Sequence, residues 1–263
     1  LWYPHSLLHN ISTPLAEQPY VRVFALDFSK AFDTVRHSTL LDKLARLDIP
    51  DEAFNWIKNF LEGHSHCTKY AGLVSTLINI SASVIQGSAI GPASYVVVAS
   101  DLRPVTQGNL LFKFADDTYL VVPSDNTDTR EDELANVRDW ACANNLTLNQ
   151  SKSQELLVIA PGVRGAGTRL NPPPAILNIE RVQSLSVLGV VVNERLSTED
   201  HVAKIIAGSS KALYALRVLR THGMTTPALQ IVFQATVLSK IIYCSPAWSG
   251  FCRATDMAQM EAF

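Results

Sequence analysis

Ala25-Leu26-Asp27-Phe28-Ser29-Lys30-Ala31-Phe32-Asp33-Thr34-Val35 is the stretch on which the reading of this chain turns. It grows out of residues 21–26, a short β-branched and aromatic run that predicts a buried strand. Asp27 therefore stands where an apolar strand ends, exposed there rather than enclosed within it. Residues 110–114 form a second apolar strand, and Ala115-Asp116-Asp117 separates it from a third at 118–122. Two adjacent carboxylates at a hairpin tip repel each other and favour a neighbouring cation. Asp is also a common turn former, so the hairpin alone leaves both readings open.

Working outward, residues 7–18 read as the end of a helix. A helix starting at Ser38 would place Leu40, Leu41, Leu44 and Leu47 on one face. Pro50-Asp51 introduces another, with Phe54, Ile57, Phe60 and Leu61 apolar, closing at Gly63. Residues 68–81 suggest two strands around Ala71-Gly72. Helices are expected over 90–102 and 128–144, with a strand at 155–159. The glycines and consecutive prolines of 162–174 mark the clearest loop. Beyond it, 181–192 is strand-like, and helices follow near 198–221, 227–243 and from about 255. The change from mixed α/β to all-helical character falls near 193–200.

Of the 263 residues, 47% are hydrophobic and 17% charged, a globular composition with a substantial core. No segment reads as a membrane span: the apolar stretch 84–99 is broken by Gln86, Gly87, Gly91 and Pro92, and about 20 clean residues are needed. Cys67, Cys142, Cys244 and Cys252 are widely spread without a Cys-x-x-Cys pair, which argues for reduced thiols and against a zinc module. His64, His66 and Cys67 lack a fourth ligand at finger-like spacing and read as an ordinary turn. The net charge of −2 is low for a nucleic-acid enzyme, but it is unevenly spread. Residues 1–160 hold 12 Lys and Arg against 18 Asp and Glu, whereas residues 201–263 hold 6 against 2.

Read together, the motifs are specific. The stretch from Ala25 to Val35 resembles the first palm motif of reverse transcriptases from non-LTR (LINE-like) retrotransposons, and Phe114-Ala115-Asp116-Asp117 resembles their catalytic hairpin. Val84-Ile85-Gln86-Gly87-Ser88-Ala89-Ile90-Gly91-Pro92 is similar to the motif between them. Trp140, Asn144-Asn145-Leu146-Thr147-Leu148-Asn149 and Lys152 resemble the fourth motif, and Leu188-Gly189-Val190 the fifth. The five lie in family order across residues 21–192.

The resemblance implies an α+β fold: a reverse-transcriptase-like palm, an antiparallel sheet with packed helices over 1–192, followed by a helical thumb over 193–263, with the fingers mostly missing. It implies nucleotidyl transfer of deoxynucleoside triphosphates to a DNA primer on an RNA template, using two Mg²⁺ ions, with Mn²⁺ as an alternative. Mg²⁺ takes hard oxygen ligands. On this reading Asp27 and Asp116 bridge the metals, Asp117 is a weaker third ligand, and the Phe28 backbone carbonyl completes the set. Phe32 would exclude a ribose 2′-hydroxyl by clash. Gln86 and Gly87 would contact nucleotide and template, Lys152, on an expected loop, the departing pyrophosphate, and Leu188 and Gly189 the primer. Fingers and endonuclease segments of a parent polyprotein are further expected partners; a membrane is not. Asp33 keeps an RNA-dependent RNA polymerase open, since those enzymes place a second acid at this spacing. A non-catalytic nucleic-acid-binding module is the other alternative.

Overall fold

The computed structural model describes residues 3–84, 87–161 and 173–263. Helix α1 (Tyr3–Ser12) leads to strand β1 (Tyr20–Phe28), then to α2 (Ala31–Thr34), α3 (His37–Leu44) and α4 (Asp51–Leu61). Four two-residue strands follow as nested hairpins: β2 (Ser65–His66), β3 (Lys69–Tyr70), β4 (Leu73–Val74) and β5 (Ile78–Asn79). Next come α5 (Gly91–Val98), the hairpin β6 (Leu110–Phe114) and β7 (Asp117–Pro123), α6 (Arg130–Ala143) and β8 (Leu148–Ile159). The chain closes with β9 (Glu180–Val182), the hairpin β10 (Ser184–Val187) and β11 (Val190–Asn193), α7 (Glu199–Thr221) and α8 (Thr226–Phe233). A π turn (Gln234–Leu238) then precedes α9 (Ser239–Ile242), α10 (Ser245–Trp248) and α11 (Ala254–Ala262).

The expected α+β class is present, with a five-stranded sheet of order β6-β7-β1-β8-β9. One pairing departs from an antiparallel sheet: β9 lies parallel to β8. The twenty residues between them supply the dozen or more that a parallel crossover needs. Most of the loop expected at 162–174, namely 162–172, lies outside the described residues.

Two compact units make up the chain. One is drawn from Ala25–Val122 and Asn126–Ser153, the other from Leu1–Phe24, Pro123–Asp125 and Gln154–Phe263.

In the first unit the hairpin β6–β7 is in tight register, with Phe114 opposite Asp117 across the two-residue turn Ala115-Asp116. Residues 118–123 of β7 are all buried, giving the tip a firm base. Leu40 and Leu44 of α3 are buried as their spacing predicts, whereas Leu47 is exposed. Glu133 of α6 is fully buried, and its carboxylate accepts from the Val105 and Thr106 amides and the Asn109 side chain.

In the second unit Val21, Arg22, Val23 and Phe24 of β1 are all buried. Covered on both faces, such a strand reads as a continuous apolar run, and Arg22 is its exception. The Arg22 guanidinium meets Glu155 of β8 at 2.6 Å with both side chains at 0% exposure, and Arg181 of β9 adds a second guanidinium to Glu155 at 3.0 Å. Helix α7 runs as expected. Residues Thr226–Phe251 are, by length and composition, long and apolar enough to cross a membrane, a run the sequence reading passed over. As folded it is interrupted by the π turn and by Cys244 at φ +51° before α10. Trp248 is buried there, its Nε1 donating to the Tyr243 carbonyl at 2.8 Å. All four cysteines are free.

Candidate active site

Asp27, Asp116 and Asp117 belong to one unit. Asp27 is the penultimate residue of β1, Asp116 occupies the β6–β7 turn, and Asp117 opens β7. Ala115, at φ +51°, takes the left-handed conformation that lets the hairpin reverse in two residues. That geometry costs a non-glycine residue roughly 1–2 kcal/mol. The Asp117 carboxyl is held above the ordinary carboxylate range, first by burial, then by the charge of Asp116 and that of Asp27. Asp27, 90 positions away in sequence, thus lies within electrostatic reach of Asp117, as does its neighbour Asp116. Among the described residues no three His, Cys, Asp or Glu side chains are drawn up around one point. The three carboxylates supply hard, anionic oxygens, the donor type a divalent cation of the Mg²⁺ type takes, so their chemistry fits such a group.

The loop after Asp27 is fastened from several sides. The Asp27 amide donates to Ser153 Oγ at 3.1 Å and the Ser29 amide to the Thr147 carbonyl at 2.9 Å. Asn145, just past the end of α6 at φ +60°, donates its side-chain amide to the Thr34 carbonyl at 2.7 Å and accepts from Arg36 at 3.0 Å. Asn is a common left-handed residue after a helix end. Asn145 of the fourth motif therefore acts as a clamp on the Asp27 segment. Phe28 is buried, its ring edge-on to Trp140 with centroids 5.9 Å apart.

Phe32 lies in α2, half-buried, with its ring tilted against that of Tyr95 in α5 at 5.1 Å. The Val84 amide donates to the Phe32 carbonyl at 2.8 Å, which ties the motif beginning at Val84 to the first motif. Gly87 is exposed at φ +83° with open space where a Cβ would lie. Gln86 lies outside the described residues. Lys152 requires a correction: it is an exposed residue inside β8, not a loop residue. The polar run Asn149-Gln150-Ser151 suggested a loop, but it forms the start of that strand, with the Asn149 side chain accepting from Ser151 at 2.8 Å.

Leu188 and Gly189 lie in the other unit. They form the two-residue turn of the β10–β11 hairpin, with φ of +47° and +89° and Val187 opposite Val190. Positive φ at both positions is the hairpin turn whose twist matches its strands, and it favours Asn-Gly. Leucine there is strained. At Gly189 a Cβ would stand 3.2 Å from the Tyr243 ring, so both its φ and its surroundings favour glycine.

Tyr95 is a residue the sequence reading missed. It is 1% exposed, and its hydroxyl has no hydrogen-bond partner among the described residues. Burial, and after it the Asp116 charge, push its ionisation far above the usual phenol range, so it stays protonated. A buried hydroxyl without a partner costs about 1–3 kcal/mol. Tyr95→Phe is therefore expected to raise the unfolding free energy by about 1 kcal/mol, read from urea denaturation. A lower midpoint would mean that the hydroxyl is bonded.

A family model described as reverse transcriptase (RNA-dependent DNA polymerase) matches residues 4–192. The chain belongs to the reverse transcriptase family. This reverse transcriptase segment is 31% identical over 215 residues to the RNA-directed DNA polymerase from mobile element jockey of Drosophila melanogaster, an alignment covering 76% of the chain and 23% of that protein. It is 28% identical over 212 residues to the probable RNA-directed DNA polymerase from transposon X-element of the same fly, covering 76% and 22%. The segment thus spans under a quarter of the length of these curated relatives. The non-LTR affinity seen in its motifs is borne out by them. Among solved structures, telomerase from Candida tropicalis, in complex with a TWJ fragment of telomeric RNA, superposes with a TM-score of 0.54 at 12% identity, covering 92% of this chain and 42% of that one. That likeness concerns the fold. The family generally uses divalent metal ions.

Proposed function

We propose that residues 1–192 are the palm and residues 193–263 the start of the thumb of an RNA-directed DNA polymerase from a non-LTR retrotransposon. It extends a DNA primer along an RNA template with deoxynucleoside triphosphates. The observation that carries this reading is the electrostatic coupling of Asp117 to both Asp116 and Asp27 within a chain of this family.

Asp27 and Asp116 are the carboxylates that would bridge two Mg²⁺ ions, Mn²⁺ serving as an alternative. Asp117 is a third, weaker ligand, and the Phe28 carbonyl supplies a neutral oxygen. When bound, the paired cations activate the primer 3′-hydroxyl and stabilise the leaving oxygen of an in-line displacement. The chain's own residues position the reactants. Phe32, backed by Tyr95, forms a rigid floor that a ribose 2′-hydroxyl would strike. Gln86 and the open backbone at Gly87 contact nucleotide and template. Lys152 presents an exposed ammonium to offset the charge of departing pyrophosphate. Leu188 and Gly189 offer a fixed turn to the primer.

The test is nucleotide choice. A polymerase carrying residues 1–263, given a primed RNA template, is expected to incorporate deoxynucleotides. Phe32→Ala is expected to raise ribonucleotide use relative to deoxynucleotide use by about 10–200-fold in kcat/KM, the range set by one or a few buried groups in a binding pocket. Exclusive use of ribonucleotides by the unmutated protein would instead identify an RNA-dependent RNA polymerase.

A further inference from the structure

Strand β6 is the edge of the five-stranded sheet, and none of its five residues is buried. An element with so little buried surface opens easily by itself. It is nevertheless one arm of the hairpin that presents Asp116 and Asp117, so whatever fastens it acts on the site.

Lys113 supplies such a fastening. It lies opposite Thr118, one pair below the Phe114–Asp117 pair that closes the turn. Its ammonium donates to the Ala99 carbonyl at 2.5 Å and to the Leu102 carbonyl at 2.9 Å, at the turn that ends α5. Carbonyls at a helix end carry partial negative charge and draw cations. Burial, and after it the Arg103 charge, push the Lys113 amine down to about 8, with Lys43 adding to the fall and Asp101 opposing it. At pH 7 the donor is therefore still the ammonium.

The end of α5 is itself anchored, and on the side of Asp27. Lys43 of α3 donates to the Val98 carbonyl at 2.6 Å and to Asp101 at 2.7 Å. Asp101 also accepts from Trp140 Nε1 at 2.9 Å, and the Trp140 ring is the one that meets Phe28, next to Asp27. From Phe28 through Trp140, Asp101 and the end of α5 to Lys113, ring and polar contacts join the end of β1 to the strand that leads into Asp116. All of these residues belong to the first unit.

We infer that Lys113 is a positioning residue for nucleotidyl transfer, holding the Asp116-Asp117 turn at a fixed offset from Asp27 by tying edge strand β6 to the end of α5. The inference rests on the polymerase reading and adds a residue outside the metal, nucleotide and primer contacts named there. A lysine that only packed its stem would act on stability alone. One that orients metal-binding carboxylates acts on the rate of the assembled complex.

The experiment is single-turnover incorporation of one deoxynucleotide on a primed RNA template by a polymerase carrying these residues. Rate constant and amplitude are read separately, because unfolding lowers the amplitude whereas misplaced carboxylates lower the rate constant. Lys113→Met keeps the apolar stem and removes the ammonium. It is expected to lower the rate constant about 10–100-fold, the scale of losing a group that orients metal ligands, and to raise the Mg²⁺ concentration that gives half the maximal rate. Lys113→Arg keeps a cation of similar reach and is expected to recover most of the rate. Lys43→Met removes bonds at the same helix end without touching the hairpin, and is expected to lose amplitude rather than rate. An unchanged rate constant in Lys113→Met, or an equal fall in Lys43→Met, would overturn the positioning role and leave the polymerase reading intact. Where the methionine variant is too unstable to assay, Lys113→Gln, a neutral donor on a shorter stem, carries the same comparison. An Asp116→Asn variant as fast as the unmutated protein would overturn both.

Discussion

Asp116→Asn, in an active polymerase carrying these residues, is expected to lower the rate of primer extension by at least about 10³-fold. A divalent ion contributes several kcal/mol of charge stabilisation in the transition state, and each 1.4 kcal/mol is a factor of ten. Asp27→Asn is expected to do the same, and Asp117→Asn less. The measurement is single-turnover incorporation of one deoxynucleotide on a primed RNA template.

Asp117→Asn acts on stability with the opposite sign. The folded Asp117 carboxyl is raised, so the folded chain binds its proton more tightly than the unfolded chain does. Below the unfolded pKa both states are protonated. As the pH rises from there through the folded pKa, the folded state loses ground, and at neutral pH the full penalty of like charges remains. Asp117→Asn is therefore expected to make the metal-free chain more resistant to urea at pH 7, and the difference from the unmutated chain is expected to shrink as the pH falls through the raised folded pKa toward the ordinary carboxylate range. A more stable protein that polymerises poorly is the mark of a carboxylate kept for chemistry rather than for the fold.

The largest effect on folding is expected at Glu155. Its carboxylate sits between the fully buried Arg22 guanidinium and that of Arg181, bonded to both. Glu155→Ala removes the anion and leaves a guanidinium without countercharge in the core, which costs about 3–5 kcal/mol. For most single domains that is a large part of the total stability. Urea unfolding should show it as a fall in midpoint. The double variant Arg22→Met with Glu155→Leu replaces the buried pair by apolar groups of similar size and is expected to recover much of the loss. A double variant no better than Glu155→Ala would show that Arg22 is not the group left stranded.

The fold and the site were legible in the sequence to different depths. Strand β1, strand β7 and helix α3 follow from their apolar pattern, because each buries residues that the pattern marks, whereas α4 buries only Leu61 of its apolar face and β6 buries none. Asp27, Asp116 and Asp117 were found by their places at strand ends, and their coupling across the sheet is what the structure adds. Lys152 was misplaced, since Asn149-Gln150-Ser151 has the polarity of a loop while lying in a strand. The Arg22–Glu155 pair was not seen. A charge inside a strand pattern does not name its partner 133 residues away. Tyr95 escaped notice for a related reason. It looks like an ordinary core residue, and only the lack of a partner for its hydroxyl among the described residues, a property of the packing, sets it apart. Asn145 carried a local signal, an Asn just beyond a helix end, though nothing in its neighbours points to Thr34 and Arg36.

Calorimetric titration of Mn²⁺ into this chain with an RNA–DNA hybrid bound tests most directly whether Asp27 and the Asp116-Asp117 pair form one divalent-cation site. Saturable uptake that disappears in Asp116→Ala is the expected result. Uptake of equal size in Asp116→Ala, or none in the unmutated chain, would contradict it.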